Sequence, residues 1–235
     1  MGTTTGRRAR LRAETTAEIK KVALGLMATG GPDAITLRAI AREMGMTANA
    51  IYGYFATRDD LVTELINDVY TSAVDAVDAA KAEAADDPAA RIEAWATGFR
   101  TWALDCPEGF RLVYGDPVPG YRPPPEGPAP EAARRACTGL AALTAEAWPT
   151  ARTGEPEAGF DWPDFDEALL AKVRPAVPDL TPAGLALALR LWGRLHGMVA
   201  LEVYGHLRGQ THDPDKLFRA ELAALLHSLG LRARA

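Results

Sequence analysis

Residues 35–61, ITLRAIAREMGMTANAIYGYFATRDDL, hold the chain to one local arrangement. The stretch packs two short helices, a tight turn and the start of a third helix into under thirty residues. Thr36 is a natural cap, because its hydroxyl can accept from the orphaned amides of a first helical turn. Leu37, Ile40, Ala41 and Met44 follow at the i, i+3, i+4, i+7 spacing of one buried helical face. Gly45 stops that helix, since glycine enters the left-handed conformation without steric penalty. Thr47 caps the next helix, in which Ile51 and Phe55 lie one turn apart on the inner face. Ala48, Asn49, Tyr52 and Gly53 then face outward. A short exposed helix held by a preceding helix and a glycine turn is the helix-turn-helix plan for entering a DNA major groove.

With those residues in place, the segment resembles the DNA-binding domain of the TetR family of transcriptional regulators. The resemblance covers about residues 15–65. It rests on the Thr36-Leu37-Arg38 opening, Ile40-Ala41, Gly45, Thr47, the Tyr52-Gly53-Tyr54-Phe55 run and the Arg58-Asp59-Asp60-Leu61 ending. Two departures bear on which operator is read. Ala48 and Asn49 stand where relatives often carry lysine and glycine, and Gly53 stands where a bulky side chain is common. The resemblance implies an all-α chain with an N-terminal three-helix helix-turn-helix domain, then a helical ligand-binding and dimerisation domain. The corresponding division is residues 1–60, a basic arm plus DNA-binding domain, and residues 61–235.

Charge gives an independent indication. The chain carries 26 Lys+Arg against 31 Asp+Glu, a net charge of −5. Through Arg58 there are nine basic and four acidic residues, a net of +5, which leaves −10 for the remainder. Arg7, Arg8, Arg10 and Arg12 head the chain, and Lys20, Lys21, Arg38, Arg42 and Arg58 follow. A basic end on an acidic body suits a DNA-binding head, because phosphate contacts supply most sequence-independent affinity. A merely solvated arginine-rich tail is the alternative.

The remainder reads as helix. At 235 residues and 48% hydrophobic content the chain can bury a sizeable core, and sustained strand-like alternation is absent. No apolar run is long enough to span a membrane; the longest, near 185–207, is broken by Arg190, Arg194, His196 and Glu202. No signal-peptide core heads the sequence, so a cytoplasmic address is expected. Cys106 and Cys137 are too few for a disulfide framework. Thr57 is expected to cap a long helix to about Ala85. Pro88 opens one bearing Ile92, Trp95, Ala96, Phe99 and Trp102, and Pro107 a short one with Phe110, Val113 and Tyr114. Prolines forbid helix across 115–130, leaving either a surface connection or a lid anchored by Tyr121. Helix returns from Ala132 to Trp148, and Pro149 to Pro163 is irregular. Further helices run from about Phe165 to Val173, from Thr181-Pro182 to about Arg208, and from Asp213-Pro214 with Phe218, Leu222, Leu225 and Leu229 inward.

The last two long helices suit an intermolecular four-helix bundle, with Gly193 and Gly197 permitting close approach of a partner helix. The stripe Leu185, Leu189, Trp192, His196, Val199, Val203 is expected to be buried. Trp192-Gly193 with His196-Gly197, and the proline-rich excursion after Tyr114, resemble a branch of the family named for the Trp, His and Gly residues of its C-terminal domain.

Site residues follow from the family pattern and helical geometry together. Arg38 can reach a guanine edge bidentately or pair with phosphate, Asn49 suits adenine, and Ala48 a thymine methyl. Thr36, Thr47, Tyr52, Tyr54 and Arg58 are expected phosphate contacts, with core packing the alternative for Tyr54. Trp95, Phe99, Trp102, Tyr114, Trp192 and His196 are candidates to line a site for an unidentified, mainly apolar effector, or else are plain core. The resemblance implies a homodimeric repressor that leaves a palindromic DNA operator when the effector binds. An activator or architectural protein without a ligand is the alternative. No enzyme is expected: His196, His206, His212 and His227 lack metal-ligand spacing, and neither a phosphate loop nor a nucleophile elbow occurs. No cofactor, metal or membrane partner is expected.

Overall fold

A computed structural model describes residues 3–147 and 159–231, with side chains from residue 6 onward. The helix end expected at Trp148, and most of the irregular stretch from Pro149 to Pro163, lie outside the described residues. Ten helices are described: α1 (Thr3–Gly30), α2 (Leu37–Glu43), α3 (Ala48–Tyr52), α4 (Arg58–Glu83), α5 (Pro88–Asp105), α6 (Pro107–Tyr114), α7 (Pro130–Ala147), α8 (Glu167–Ala176), α9 (Pro182–Val203) and α10 (Pro214–Ser228). Two 3₁₀ turns, Pro32–Ala34 and Trp162–Asp164, complete the described elements, and no strand occurs among them. The chain forms two compact units. One is Met1–Tyr70 with Cys106–Pro130, the other Thr71–Asp105 with Glu131–Ala235. These units differ from the division at residue 60 that the sequence suggests, because residues 106–130 return to the first of them.

In the first unit, Ile19, Ala23 and Met27 bury one face of α1 at four-residue spacing. The basic arm expected ahead of the domain is itself helical, since α1 already begins at Thr3. Residues 7–14, RRARLRAE, consist of arginine, alanine, leucine and glutamate, whose propensities favour helix. Thr36 Oγ accepts from Ala39 N at 3.1 Å to cap α2, and Thr47 Oγ accepts from Ala50 N at 3.2 Å to cap α3. Between them Gly45 takes φ +64°, the left-handed turn anticipated for it. Leu37, Ile40, Ala41, Ile51 and Phe55 are buried, as their spacing requires. Thr57 and Asp60 cap α4 reciprocally, each side chain accepting from the other's backbone amide at 3.0 Å. Lys20 ties α1 to α4 through Asp68 at 2.7 Å and Glu64 at 2.9 Å.

In the second unit α5 packs against α9 and α10. Ile92, Trp95, Ala96, Phe99, Trp102 and Ala103 form its buried face. Thr181 caps α9 through Gly184 N at 3.0 Å, and Asp213 caps α10 through Lys216 N at 2.8 Å. The inward set on α10, Phe218, Leu222, Leu225 and Leu229, is buried.

Three details differ from expectation. Helix α9 stops at Val203 rather than near Arg208, because Gly205 adopts φ +77° just beyond the Tyr204 cap. Leu189 is 46% exposed, whereas the core row of α9 is Leu185, Ala188, Leu191, Leu195, Val199 and Val203. That row winds one helical step away from Leu189. Helix α7 begins at Pro130, two residues early, because proline fits the first turn, where no amide is needed.

Arg100 joins three helices of this unit. From α5 its Nε and Nη2 donate to both Glu202 oxygens on α9 at 2.8 Å, and its Nη1 donates to Asp215 on α10 at 2.8 Å. Its guanidinium also lies 5.0 Å from the Phe218 ring centre. The bonds to Glu202 foremost hold the guanidinium pKa above its ordinary range, against a smaller opposing effect of burial.

Arg100→Ala strands Glu202 in a half-buried site and is expected to lower unfolding free energy by about 2 kcal/mol in urea denaturation. Thr47→Ala removes one cap and is expected to cost about 1 kcal/mol by the same measurement.

Candidate functional site

Helix α3 shows what the helix-turn-helix presents. Its buried residue is Ile51; Asn49 is exposed, Tyr52 is 48% exposed and Ala48 is half-buried. A tyrosine ring so exposed has no packing role to explain it. Arg38 is exposed on α2, and Thr36 and Thr47 are exposed at their caps. Each threonine oxygen accepts a cap bond, which leaves its hydroxyl hydrogen available to donate to a phosphate oxygen. The first helices therefore bring Thr36, Arg38, Thr47, Asn49 and Tyr52 to the surface of one head, with Ala48 only partly accessible.

Tyr54 and Arg58 are held differently. Arg12, on α1, donates from Nη2 to Gly53 O at 2.8 Å and sits 4.8 Å from the centre of the Tyr54 ring. It thereby places positive charge at the carbonyl end of α3, where the helix dipole is negative. Tyr54 is half-buried beneath it. Arg58 donates Nε to Ile35 O at 2.6 Å, Nη1 to Pro119 O at 2.8 Å and Nη2 to Pro32 O at 3.2 Å. It is half-buried, and these bonds tie it to the residues before α2 and to Pro119. Pro32 O also accepts from Ile35 N at 3.4 Å, while Ile35 O lies before the first carbonyl of the α2 ladder, Thr36 O, so Arg58 satisfies a carbonyl that this ladder does not reach.

In the second unit five of the six aromatic candidates come together. Phe99 lies 5.9 Å from Trp95, 6.0 Å from Trp102, 5.2 Å from Trp192 and 6.4 Å from His196, between ring centres. Trp192 is 5.0 Å from His196 and meets Trp95 edge-on at 6.1 Å. Trp102 Nε1 donates to Ser72 Oγ at 3.0 Å. Trp95, Phe99 and Trp102 are buried, whereas Trp192 and His196 are half-buried, at the accessible side of the cluster. The sixth candidate, Tyr114, belongs to the first unit, where it meets Phe110 at 5.1 Å and Tyr70 at 6.1 Å. Aromatic character alone does not reveal this difference, because the chain changes unit between Asp105 and Cys106.

Sequence reasoning did not foresee the roles of Arg12 and Arg100. An arginine directly after Phe99 and two residues before Trp102 is the signal the sequence offers for Arg100. Arg12 gave no signal apart from the basic run around it. Among the described residues no group of three or more His, Cys, Asp or Glu could hold a metal ion, and no helix is long and apolar enough to cross a membrane. Cys106 and Cys137 are half-buried free thiols, and burial foremost raises both pKa values above the ordinary thiol range.

A capped helix-turn-helix on a basic head, followed by a helical body, defines the class of helical DNA-binding regulators. Comparison with known proteins gives the family. Residues 19–65 match the model of bacterial regulatory proteins of the tetR family, and residues 92–225 match the tetracyclin repressor-like C-terminal domain. The HTH-type transcriptional regulators Mb1846 of Mycobacterium bovis and Rv1816 of Mycobacterium tuberculosis are each 30% identical over 237 residues, covering 94% of either chain. The crystal structure of the regulatory protein SCO4313 superposes with a TM-score of 0.73 at 37% identity, covering 93% of this chain and 98% of that one. A tetR-family regulatory protein from Rhodococcus RHA1 shares the fold, with a TM-score of 0.65 at 17% identity over 93% of this chain and 98% of its own. The chain belongs to the TetR family: it is a DNA-binding transcriptional regulator, of a kind whose members are not enzymes.

Burial lowers the pKa of His196 below its ordinary value of 6.5. The folded protein therefore binds that proton less readily than the unfolded chain. This contribution to stability is complete above pH 6.5 and is lost as pH falls through the folded-state value. His196→Gln is expected to lessen the drop in thermal midpoint between about pH 7 and pH 5, measured beside the unsubstituted protein.

Proposed function

We propose that the protein is a homodimeric repressor that binds a palindromic operator and leaves it when a mainly apolar small molecule enters the aromatic cluster of α5 and α9. Residues 1–60 are the DNA-reading part and residues 61–235 the effector-binding and dimerisation part, acting in the cytoplasm. The observation that carries the reading is the exposed apolar stripe along α9. Leu189, Leu201 and Tyr204 are exposed together with Gly193, while Gly197 is half-buried; Leu217, Ala220 and Ala224 are exposed on α10. A Cβ built at Gly193 or Gly197 would meet no atom within 4 Å, so a second helix can lie against the backbone there. A pair of such helices from each copy makes a four-helix bundle. Two heads then read half-sites in successive major grooves, about 34–36 Å apart.

The rest of the mechanism follows from helix continuity. Helix α5 carries the aromatic cluster and lies close to the second half of α4: a Cβ at Gly98 would come within 2.9 Å of Ala80 Cβ. The first residues of α4 cap and close the helix-turn-helix. An effector seated at the half-buried Trp192 and His196 biases α5, and so α4, toward a head spacing that does not fit DNA. It lifts repression only by its preference for that state. Because the body is acidic, an effector that is apolar or aromatic rather than strongly anionic fits best. An activator or architectural protein without an effector is the second reading, favoured by the ring-to-ring packing that the cluster already has.

Selection from a random duplex pool tests the proposal. A palindrome with fixed half-site spacing is expected; recovery of no preference overturns the operator-specific reading. Asn49→Ala is expected to relax selection at one base pair of each half-site by about 1–3 kcal/mol while leaving non-specific affinity unchanged. Thermal shifts against a set of apolar metabolites separate the two readings: a shift lost in Trp192→Ala supports the effector, and a silent screen favours its absence.

A further inference from the structure

The proline-rich segment after α6 is seated on the first unit, and its seating converges on one side chain. We infer that residues 118–122 are a working part of the DNA-reading head, and that Arg58 is the positioning residue that couples them to the entry of α2. The inference rests on the DNA-binding reading above. From the start of α4, Arg58 reaches Pro32 O and Ile35 O on one side and Pro119 O on the other. Ile35 is fully buried and immediately precedes the Thr36 cap, so its carbonyl fixes where α2 begins. Each of the three carbonyls is met by a different nitrogen of a rigid planar guanidinium; an ammonium also has three donors, but on a single nitrogen at the end of a flexible stem, and does not reproduce that spacing.

Neighbouring residues of α4 hold the same segment. Arg122 N donates to Asp59 Oδ2 at 3.3 Å, and the Tyr121 and Thr63 hydroxyls share a bond of 2.8 Å. Tyr121 N donates to Val118 O at 3.1 Å, closing a turn in which Gly120 adopts φ +71° and Val118 is buried. Prolines at 117, 119, 123, 124 and 125 limit the freedom the segment loses when seated. The chain passes from this unit to the other at Pro130–Glu131, within the first turn of α7. Within the first unit the segment is thus tied through Arg58 to the residues that precede the cap of α2. Three of its five N–H groups are engaged with carbonyls, and Arg58 is expected to add no phosphate contact to operator binding.

The test compares the full-length protein with Arg58→Gln, Arg58→Lys, Tyr121→Ala and the Arg58→Gln/Tyr121→Ala double variant. Operator affinity is measured over a salt series, and amide exchange is followed at residues 37–41, with thermal midpoints confirming folding. Arg58→Gln is expected to weaken the operator complex about tenfold or more with an unchanged salt slope, and Arg58→Lys not to restore it. Tyr121→Ala is expected to weaken it several-fold, with a double variant less impaired than the product of the two singles. Both single variants speed amide exchange at residues 37–41. A slope shallower by about 0.9 in Arg58→Gln, restored by Arg58→Lys, would show a phosphate contact and overturn the inference. Unchanged exchange in Tyr121→Ala likewise overturns it, even in a folded protein that binds its operator normally. If the unsubstituted protein selects no operator, the DNA reading fails by itself, and the exchange data still decide whether Arg58 couples the segment to α2.

Discussion

A five-residue helix does not persist in water, since nucleation fixes several residues for each hydrogen bond gained. Helix α3 has that length, so its existence as an α-helix depends on burial of Ile51 and, just beyond it, Phe55. Those two side chains find a core because Leu37, Ile40 and Ala41 are already fixed by the Thr36 cap and the Gly45 turn. Every outward-facing group of the head inherits its position from this small apolar contact. Arg12 at the carbonyl end and Thr47 at the amide end close the helix polar groups that burial cannot satisfy.

The second unit is organised around a different kind of contact. Its aromatic cluster is apolar and without fixed direction, whereas Arg100 binds carboxylates on α9 and α10 in set geometry. Ring packing alone would tolerate sliding of α9 over α5. The bidentate bond to Glu202 opposes it, because a guanidinium and a carboxylate meet well in few orientations. Trp192 and His196 lie on α9 within this held pair of helices, so a change at their rings acts on elements whose register is defined.

Local chemistry made much of the fold legible. Thr36, Thr47, Thr57, Thr181 and Asp213 each precede a helix and each cap it, because capping needs only the residue and the next turn. Gly45 was readable for the same reason. Features joining distant segments were not. Arg58 looks like any basic residue at the head of a helix, and its tie to Pro119 spans 61 positions. Arg12 reaches Gly53 across 41 positions, and Arg100 reaches Asp215 across 115. Leu189 was misplaced because a three-four repeat admits two neighbouring rows on α9, and only packing chooses between them. Tyr114 shares with Trp95 and Phe99 only its aromatic character, and at Cys106 the chain has entered the other unit.

Asn49 and Tyr52 project from α3 while Ile51 alone is buried, so the outward side chains supply almost none of the energy that keeps the helix folded. On the proposed reading, in which these exposed side chains meet the operator, recognition and folding are written in different letters of the same short word. Descendants of this gene would then acquire a new DNA address by altering the exposed letters, with no compensating change in the core, and duplicated copies would diverge to separate promoters while retaining an interchangeable body.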